Sequence, residues 1–109
     1  MLAEIKKQFY ETTVKELEDI NIKLSHEEVP VEDHPVLTEQ IFTLTHQISG
    51  TGPMLGFDGA SKLSRKLERT FYDIRAGQRN LTPQLIWQTK RAIEVLIQTF
   101  VEENSIQRQ

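Results

Sequence analysis

Apolar residues recur at intervals of three and four along four separate stretches of the chain, the spacing of helices that bury one face. The predicted helices cover residues 2–24, 35–55, 58–76 and 83–103. No stretch shows the strict alternation that a half-buried strand needs. We therefore predict an all-α fold, an up-and-down four-helix bundle with antiparallel helices, in which residues 1–109 form one domain.

The apolar stripes also predict which residues fill the core. In chain order these are Leu2, Ile5, Phe9, Leu17, Ile20, Leu24, Leu37, Ile41, Leu44, Ile48, Leu55, Ala60, Leu63, Leu67, Phe71, Ile74, Ile86, Ile93, Ile97 and Phe100. Trp87 shares the helical core spacing with Phe100, which favours packing over a ligand-binding role for both rings. Each helix thus has one face to bury and one face for solvent or a partner.

Capping residues and helix breakers predict where the helices begin and end. The predicted starts are Asp33 or His34 followed by Pro35, Asp58 as a cap, and Thr82 followed by Pro83. Gly56 and Gly77 suit the positions just past the second and third helices. We expect residues 104–109 to fray.

Composition narrows the chemistry that the chain can perform. It contains no cysteine, which excludes disulfides, thiolate zinc sites and cysteine nucleophiles and fits a reducing compartment. With 38% hydrophobic residues, 27% charged residues and a net charge of −3, it is typical of an ordinary globular domain. No apolar run approaches the roughly 20 residues that span a bilayer, and the first residues do not resemble a secretory signal. We expect a cytoplasmic protein that binds neither membranes nor nucleic acid.

Three histidines are available for chemistry, and two of them lie in an acidic connector. That connector contains His26, Glu27, Glu28, Glu32, Asp33 and His34. Carboxylates and imidazoles can bind a metal ion, but their spacing here matches neither an i, i+4 helical pair nor a zinc signature. We therefore favour a solvated linker without a metal.

His46 lies on the second predicted helix, on the side opposite its core stripe. At about 100° per residue, the core residues of this helix fall within about 40° of the direction opposite His46. Its neighbours on the exposed face are Glu39, Phe42, Thr43, Ser49, Gly50 and Pro53. By position alone, an exposed helical histidine does not indicate a function, so the residues that follow it decide its interpretation.

Residues that weaken helices crowd the stretch after His46. Gly50, Gly52, Pro53 and Gly56 fall within seven residues. Each glycine in a helix costs about 0.8–1 kcal/mol relative to alanine, and proline removes a hydrogen bond, so stability alone would not select them. Gly50, one turn after His46, leaves room for the backbone of another protein to approach the imidazole. A kinked or early-ending helix with a Gly52-Pro53 turn would account for the same residues.

The stretch from His46 to Glu68 resembles the signature of histidine-containing phosphotransfer (Hpt) domains. It reads His46-Gln-Ile-Ser-Gly-Thr-Gly-Pro-Met-Leu-Gly-Phe57, followed by Ala60, Leu63, Leu67 and Glu68. The resemblance implies that His46 is the phosphoacceptor, that Gly50 provides clearance, and that the histidine helix ends at Leu55-Gly56. Ser49 stands where the family usually carries lysine, so its hydroxyl can offer a phosphoryl group a hydrogen bond but no charge.

The resemblance further implies a carrier that relays a phosphoryl group between receiver-domain aspartates in a two-component phosphorelay, rather than a complete catalyst. The expected partners are the receiver domain of a response regulator, of a hybrid histidine kinase, or both. The receiver would bring Mg²⁺, and this chain would hold no cofactor or metal of its own. We expect a monomer.

Four cations on the third predicted helix, Lys62, Arg65, Lys66 and Arg69, lie away from its core stripe. They form either a solvated face or a cationic border that meets the acidic pocket of a receiver. In the second case Arg65 and Arg69 would support the phosphoryl group.

Two other functions stay open. One is a phosphorylation-silent docking module for a receiver or kinase, which Ser49 favours, and the other is a structural helical bundle in which the motif is coincidental.

Overall fold

Four α-helices dominate the structure, a computed structural model that describes residues 1–26 and 28–107. They are α1 (Leu2–Leu24), α2 (His34–Thr51), α3 (Asp58–Arg75) and α4 (Pro83–Gln107), with 3₁₀ turns at Val31–Asp33 and Gly52–Leu55. No strand occurs in the described residues, so the predicted all-α fold is confirmed. None of the helices in these two ranges combines the length and apolar character needed to cross a membrane.

The helices α2 and α3 form a hairpin that positions the candidate site. Residues of rising number on α2 contact residues of falling number on α3, which makes the two helices antiparallel: Glu39 with Arg75, His46 with Glu68 and Ile48 with Ser61. Gly52 permits a close approach at the closed end, because a Cβ there would collide with Ser61 Oγ. Gly56 has a φ of 87°, a left-handed conformation that favours glycine and lets the chain turn between the helices.

The core is centred on three fully buried phenylalanines, Phe57, Phe71 and Phe100. The Phe57 ring lies 5.0 Å from that of Phe100 and 6.1 Å from that of Phe9 on α1, measured between centroids. The predicted stripe from Leu37 to Leu55 is buried at every position. Phe57 was not assigned to the core from the sequence pattern, yet it anchors the turn of the α2–α3 hairpin against α1 and α4.

The predicted core was wrong at the start of α1 and at Trp87. Leu2 and Ile5 are 67% and 56% exposed, because the part of α1 that packs against the core begins only at Phe9. Trp87 is 60% exposed, and the guanidinium of Arg91 lies 5.4 Å from its ring centroid. The buried face of α4 contains Leu85, Thr89, Ile93, Leu96 and Phe100, so Trp87 points outward.

Several helix ends also differ from the prediction. The second helix was expected to reach residue 55, but Gly52 and Pro53 begin a 3₁₀ turn instead, since glycine and proline both disfavour continued α-helix. Asp58 is the first residue of α3 rather than its cap, and Phe57 holds the cap position without a side-chain hydrogen bond. The last helix was expected to end near residue 103 but continues to Gln107.

Glu103 of α4 caps α3 from a neighbouring helix. Its Oε2 accepts a hydrogen bond from the Gly59 N–H and its Oε1 accepts one from the Ala60 N–H, each at 2.9 Å. The first N–H groups of a helix have no partner within the helix, and a carboxylate there also meets the positive end of the helix dipole. The cap expected from Asp58 is therefore supplied by a tertiary contact.

Replacing Glu103 with alanine is expected to lower the free energy of unfolding by about 1–2 kcal/mol, the usual effect of losing an N-terminal cap. Urea unfolding followed by circular dichroism measures the change. Glu102→Ala is the matched control, because Glu102 is an exposed neighbour, and its effect should stay within about 0.5 kcal/mol. Equal losses in the two variants would contradict the role of Glu103 as a cap.

Candidate functional site

His46 projects from the outer face of α2, and 69% of its side chain is exposed, on the face that helical periodicity predicts. Glu68 on α3 places its Oε2 at 2.6 Å from His46 Nδ1. An ionised carboxylate can only accept, so Nδ1 carries the hydrogen and donates it to Glu68. In the neutral ring Nε2 then holds the lone pair, and it makes no hydrogen bond with any residue in the described ranges.

The sequence motif includes Glu68 only as its last residue and does not predict its contact with His46. Glu68 is only 23% exposed, so its carboxylate is partly shielded from water where it meets the imidazole. A signal for the contact is present in the sequence, since His46 and Glu68 each lie eleven residues from Phe57. In an antiparallel hairpin that turns near Phe57, the two side chains lie opposite each other.

An aromatic shelf, formed by Phe42 and Tyr72, lies beside His46 along the α2–α3 seam. The Phe42 ring stacks against the imidazole with centroids 5.9 Å apart and an interplanar angle of 16°, and Tyr72 lies 6.2 Å from Phe42. The Arg75 guanidinium sits 4.8 Å from the Phe42 centroid, and its Nε donates to Glu39 Oε2 at 3.0 Å. The shelf therefore supports the imidazole from the side, while Glu68 holds Nδ1. Tyr72 and Arg75 were not among the predicted site residues.

The remaining predicted site residues of α2 and its turn occupy different environments. Ser49 is half-buried and its Oγ donates to the Thr45 carbonyl at 2.8 Å, so the hydroxyl is bonded to its own helix. Gly50 is exposed, and a Cβ added there would meet no atom within 4 Å. Thr43 is exposed at a groove between α1 and α2, and Pro53 is half-buried in the 3₁₀ turn.

The four cations of α3, Lys62, Arg65, Lys66 and Arg69, are exposed. None of them forms an ion pair or side-chain hydrogen bond with another described residue. Arg65 lies one turn before Glu68, and Arg69 follows it directly. The structure thus brings both arginines to the neighbourhood of Glu68 but not into contact with His46.

The acidic connector before α2 is partly ordered by His34, whose Nε2 donates to the Val29 carbonyl at 3.2 Å. Within residues 1–26 and 28–107, no group of three or more histidine, aspartate or glutamate side chains converges in a way that could hold a metal ion. Glu27, which belongs to the connector considered as a metal site, lies outside the described residues.

Comparison with known proteins identifies the family. The chain matches the family model of the Hpt domain over residues 4–103. No curated protein and no solved structure matches it. The matched range contains the α2–α3 hairpin with His46 and Glu68 and nearly all of α1 and α4. The chain therefore belongs to the Hpt domain family.

Proposed function

We propose that His46 accepts a phosphoryl group from the aspartate of one receiver domain and passes it to the aspartate of another in a two-component phosphorelay. The proposal rests above all on the exposed imidazole whose Nδ1 is bonded to Glu68, because that bond leaves Nε2 as the nucleophile. Membership of the Hpt family, whose domains serve in histidine phosphotransfer, supports the same function.

The transfer needs few groups from this domain. The lone pair of His46 Nε2 attacks the phosphorus of the receiver's phosphoaspartate, and the bond from phosphorus to the aspartate oxygen breaks, with its electron pair going to the carboxylate. Nε2 carries no hydrogen in this tautomer, so no proton has to be removed. The ring gains positive charge as the N–P bond forms, and the Glu68 carboxylate at Nδ1–H stabilises that charge. Transfer to the next receiver is the reverse reaction.

The domain acts as a carrier rather than as a complete catalyst. In phosphoryl transfer, metal ions generally neutralise the oxygens of the transferred group. Two carboxylates lie on this face among the described residues, and both are already paired: Glu68 is bonded to His46 Nδ1 and Glu39 to the Arg75 guanidinium. Neither is left free to bind Mg²⁺, which needs oxygen ligands. We therefore assign the metal to the receiver and its acidic pocket.

The exposed face of α2 would receive the partner. Gly50 lies one turn beyond His46 on this face, and a groove of about 810 Å³ between α1 and α2 adjoins it, lined in part by Glu39 and Thr43. On the other side of His46 lie two exposed cations of α3, Arg65 and Arg69. The receiver would thus cover His46 between the α1–α2 groove and these two arginines.

Replacing Gly50 with glutamine is expected to raise the Kd for a receiver by about tenfold or more, because a long side chain would stand in the clearance beside His46. The fold should tolerate the change, since a Cβ meets no atom within 4 Å, and stability should rise by up to about 1 kcal/mol. Calorimetric titration with a receiver measures the affinity. Gly50→Ala is the control for helix propensity alone, and unchanged affinity in both variants would contradict this docking surface.

Replacing Ser49 with lysine is expected to shift the transfer equilibrium toward this domain, or lengthen the lifetime of the phosphohistidine, by about tenfold. A lysine three residues after His46 can reach the phosphoryl oxygens, and a cation within about 4 Å of them is worth on the order of 1 to a few kcal/mol. Ser25→Lys is the matched control, because the Ser25 hydroxyl also donates to the carbonyl four residues earlier, at the far end of α1.

Ser49→Lys also separates the carrier from the phosphorylation-silent docking module. The silent module is favoured by the Ser49 hydroxyl, because it already donates to the Thr45 carbonyl. A carrier labels His46 in the parent protein, whereas a silent module acquires label only once lysine is present. If Arg65 or Arg69 already supplies the charge, Ser49→Lys will change little and neutralising those arginines will reduce retention of the phosphoryl group.

The direct test of the proposed function is incubation of the full chain with a panel of phosphorylated receiver domains in the presence of Mg²⁺. We expect label that is acid-labile and alkali-stable, as N-linked phosphate is, and that maps to His46. Failure of every receiver to transfer label to this chain would overturn the proposal.

A further inference from the structure

A second groove, between α3 and α4, has a volume of about 360 Å³. Its walls are largely apolar and include Leu63 and Leu67 from α3 with Leu85 and Val95 from α4, while Lys66 and Arg79 stand at its rim. Val95 is 51% exposed although it is aliphatic. The α3–α4 groove therefore offers apolar surface to solvent beside two positive charges.

The α3–α4 groove lies on a different face of α3 from the site at His46. Leu67 lines the groove, and the next residue, Glu68, contacts His46. Consecutive residues of a helix point about 100° apart, and Leu63 and Lys66 lie still further around α3 from Glu68. A molecule in this groove would leave the imidazole accessible, so both surfaces can be occupied together.

The cationic rim of the α3–α4 groove favours an acidic ligand. No acidic residue lines it, and neither Lys66 nor Arg79 forms an ion pair with another residue in the described ranges, although the whole chain has a net charge of −3. Carboxylates are complementary to such a rim. Nucleic acid is the poorer match, because the lining contains no aromatic ring on which a base could stack.

We propose that the α3–α4 groove binds an acidic amphipathic helix of a partner protein. Aliphatic side chains of that helix would enter the groove between α3 and α4, and its carboxylates would pair with Lys66 and Arg79, the helix-in-groove mode of recognition. Such a contact would tether the domain to one protein while His46 remains open to another. The inference does not depend on phosphate acceptance by His46.

The first experiment titrates a synthetic helical peptide, with leucines at positions i, i+3, i+4 and i+7 and glutamates at most others, into the ¹⁵N-labelled full chain. We expect saturable shifts of the amide signals of Leu63, Leu67 and Leu85, with those of His46 and Gly50 unchanged. The control peptide carries lysine in place of each glutamate. Equal binding of the two peptides, shifts centred on the α1–α2 groove, or no saturation up to about 1 mM would overturn the proposal.

The second experiment measures the affinity of the acidic peptide for charge variants. The double variant Lys66→Glu with Arg79→Glu should bind at least about tenfold more weakly. Lys7→Glu with Lys15→Glu applies the same change of charge to exposed positions on α1 and should leave the affinity within about twofold. A similar loss of affinity in both double variants would show that only the net charge of the protein matters. That result would overturn the α3–α4 groove as the binding surface.

A third measurement tests the apolar wall. Val95→Ser should weaken binding by about fivefold, because part of one aliphatic side chain no longer packs against the peptide. Val101→Ser is the matched control, since Val101 is a similarly exposed valine of α4 that does not line the groove. Both valines are half-exposed, so neither change should unfold the protein. Equal affinity of the Val95 variant and the parent would contradict the groove as the binding site.

Discussion

Replacing His46 with glutamine is expected to abolish phosphate acceptance and leave the fold unchanged. Glutamine has no nucleophilic nitrogen, so no N–P bond can form at this position. The side chain is 69% exposed and opposite the buried stripe of α2, so the free energy of unfolding should change by less than about 0.5 kcal/mol. Labelling from a phosphorylated receiver measures acceptance, and urea unfolding measures stability.

His26→Gln is the matched control for this loss. His26 is exposed in the connector after α1 and should label like the parent, because it has no carboxylate partner among the described residues and lies outside the motif. Equal labelling of the His46 variant and the parent would end the phosphotransfer interpretation. A large loss of helicity in His46→Gln would instead show that His46 has a structural role.

Replacing Glu68 with alanine is expected to slow phosphoryl transfer to His46 by about 10–100-fold, the usual effect of losing a group that orients a reacting side chain and stabilises its charge. Alanine removes both the acceptor for Nδ1–H and the negative charge next to the ring. Glu68→Gln retains an acceptor oxygen and loses only the charge, so its rate should fall between that of the alanine variant and the parent. Rapid-mixing transfer from a phosphorylated receiver measures the rate.

A second readout separates this positioning role of Glu68 from a general loss of structure. In the ¹⁵N spectrum of the imidazole, the parent should show the tautomer with hydrogen on Nδ1, and the alanine variant a mixture of tautomers. Glu11→Ala, at an exposed glutamate of α1, is the control for the loss of one carboxylate. An unchanged rate and an unchanged tautomer in Glu68→Ala would show that the contact at 2.6 Å has no part in the reaction.

Much of the fold was predictable because helix formation and burial depend on residues that are near each other in the chain. The stripe of α2 placed its core residues and the exposed position of His46, since a period of 3.6 residues relates every side chain to the same axis. Local signals also predicted the Thr82 cap, which accepts a hydrogen bond from the Leu85 N–H at 3.1 Å. The left-handed Gly77, with a φ of 77°, follows α3 as expected.

Periodicity was a poorer guide where burial depends on what another helix covers. The spacing of Leu2 and Ile5 is as regular as that of the buried positions of α1, but both residues are exposed. A stripe predicts the direction in which a side chain points along its own helix. Whether a neighbouring helix reaches that point depends on the lengths and offsets of both helices, which no local pattern contains.

The sequence alone determined the all-α fold, the helical face that bears His46 and the exposed position of Gly50 one turn beyond it. Only the tertiary structure decided which groups surround the imidazole. Glu68 lies 22 residues away in the chain, and Glu103 caps an N–H group 44 residues away. Both contacts depend on how two helices are aligned along their axes, where a shift of one residue moves a side chain by about 1.5 Å and around the axis by about 100°. For Glu68 that alignment comes from the Gly56 turn, the buried Phe57 and the close approach of Gly52 to Ser61.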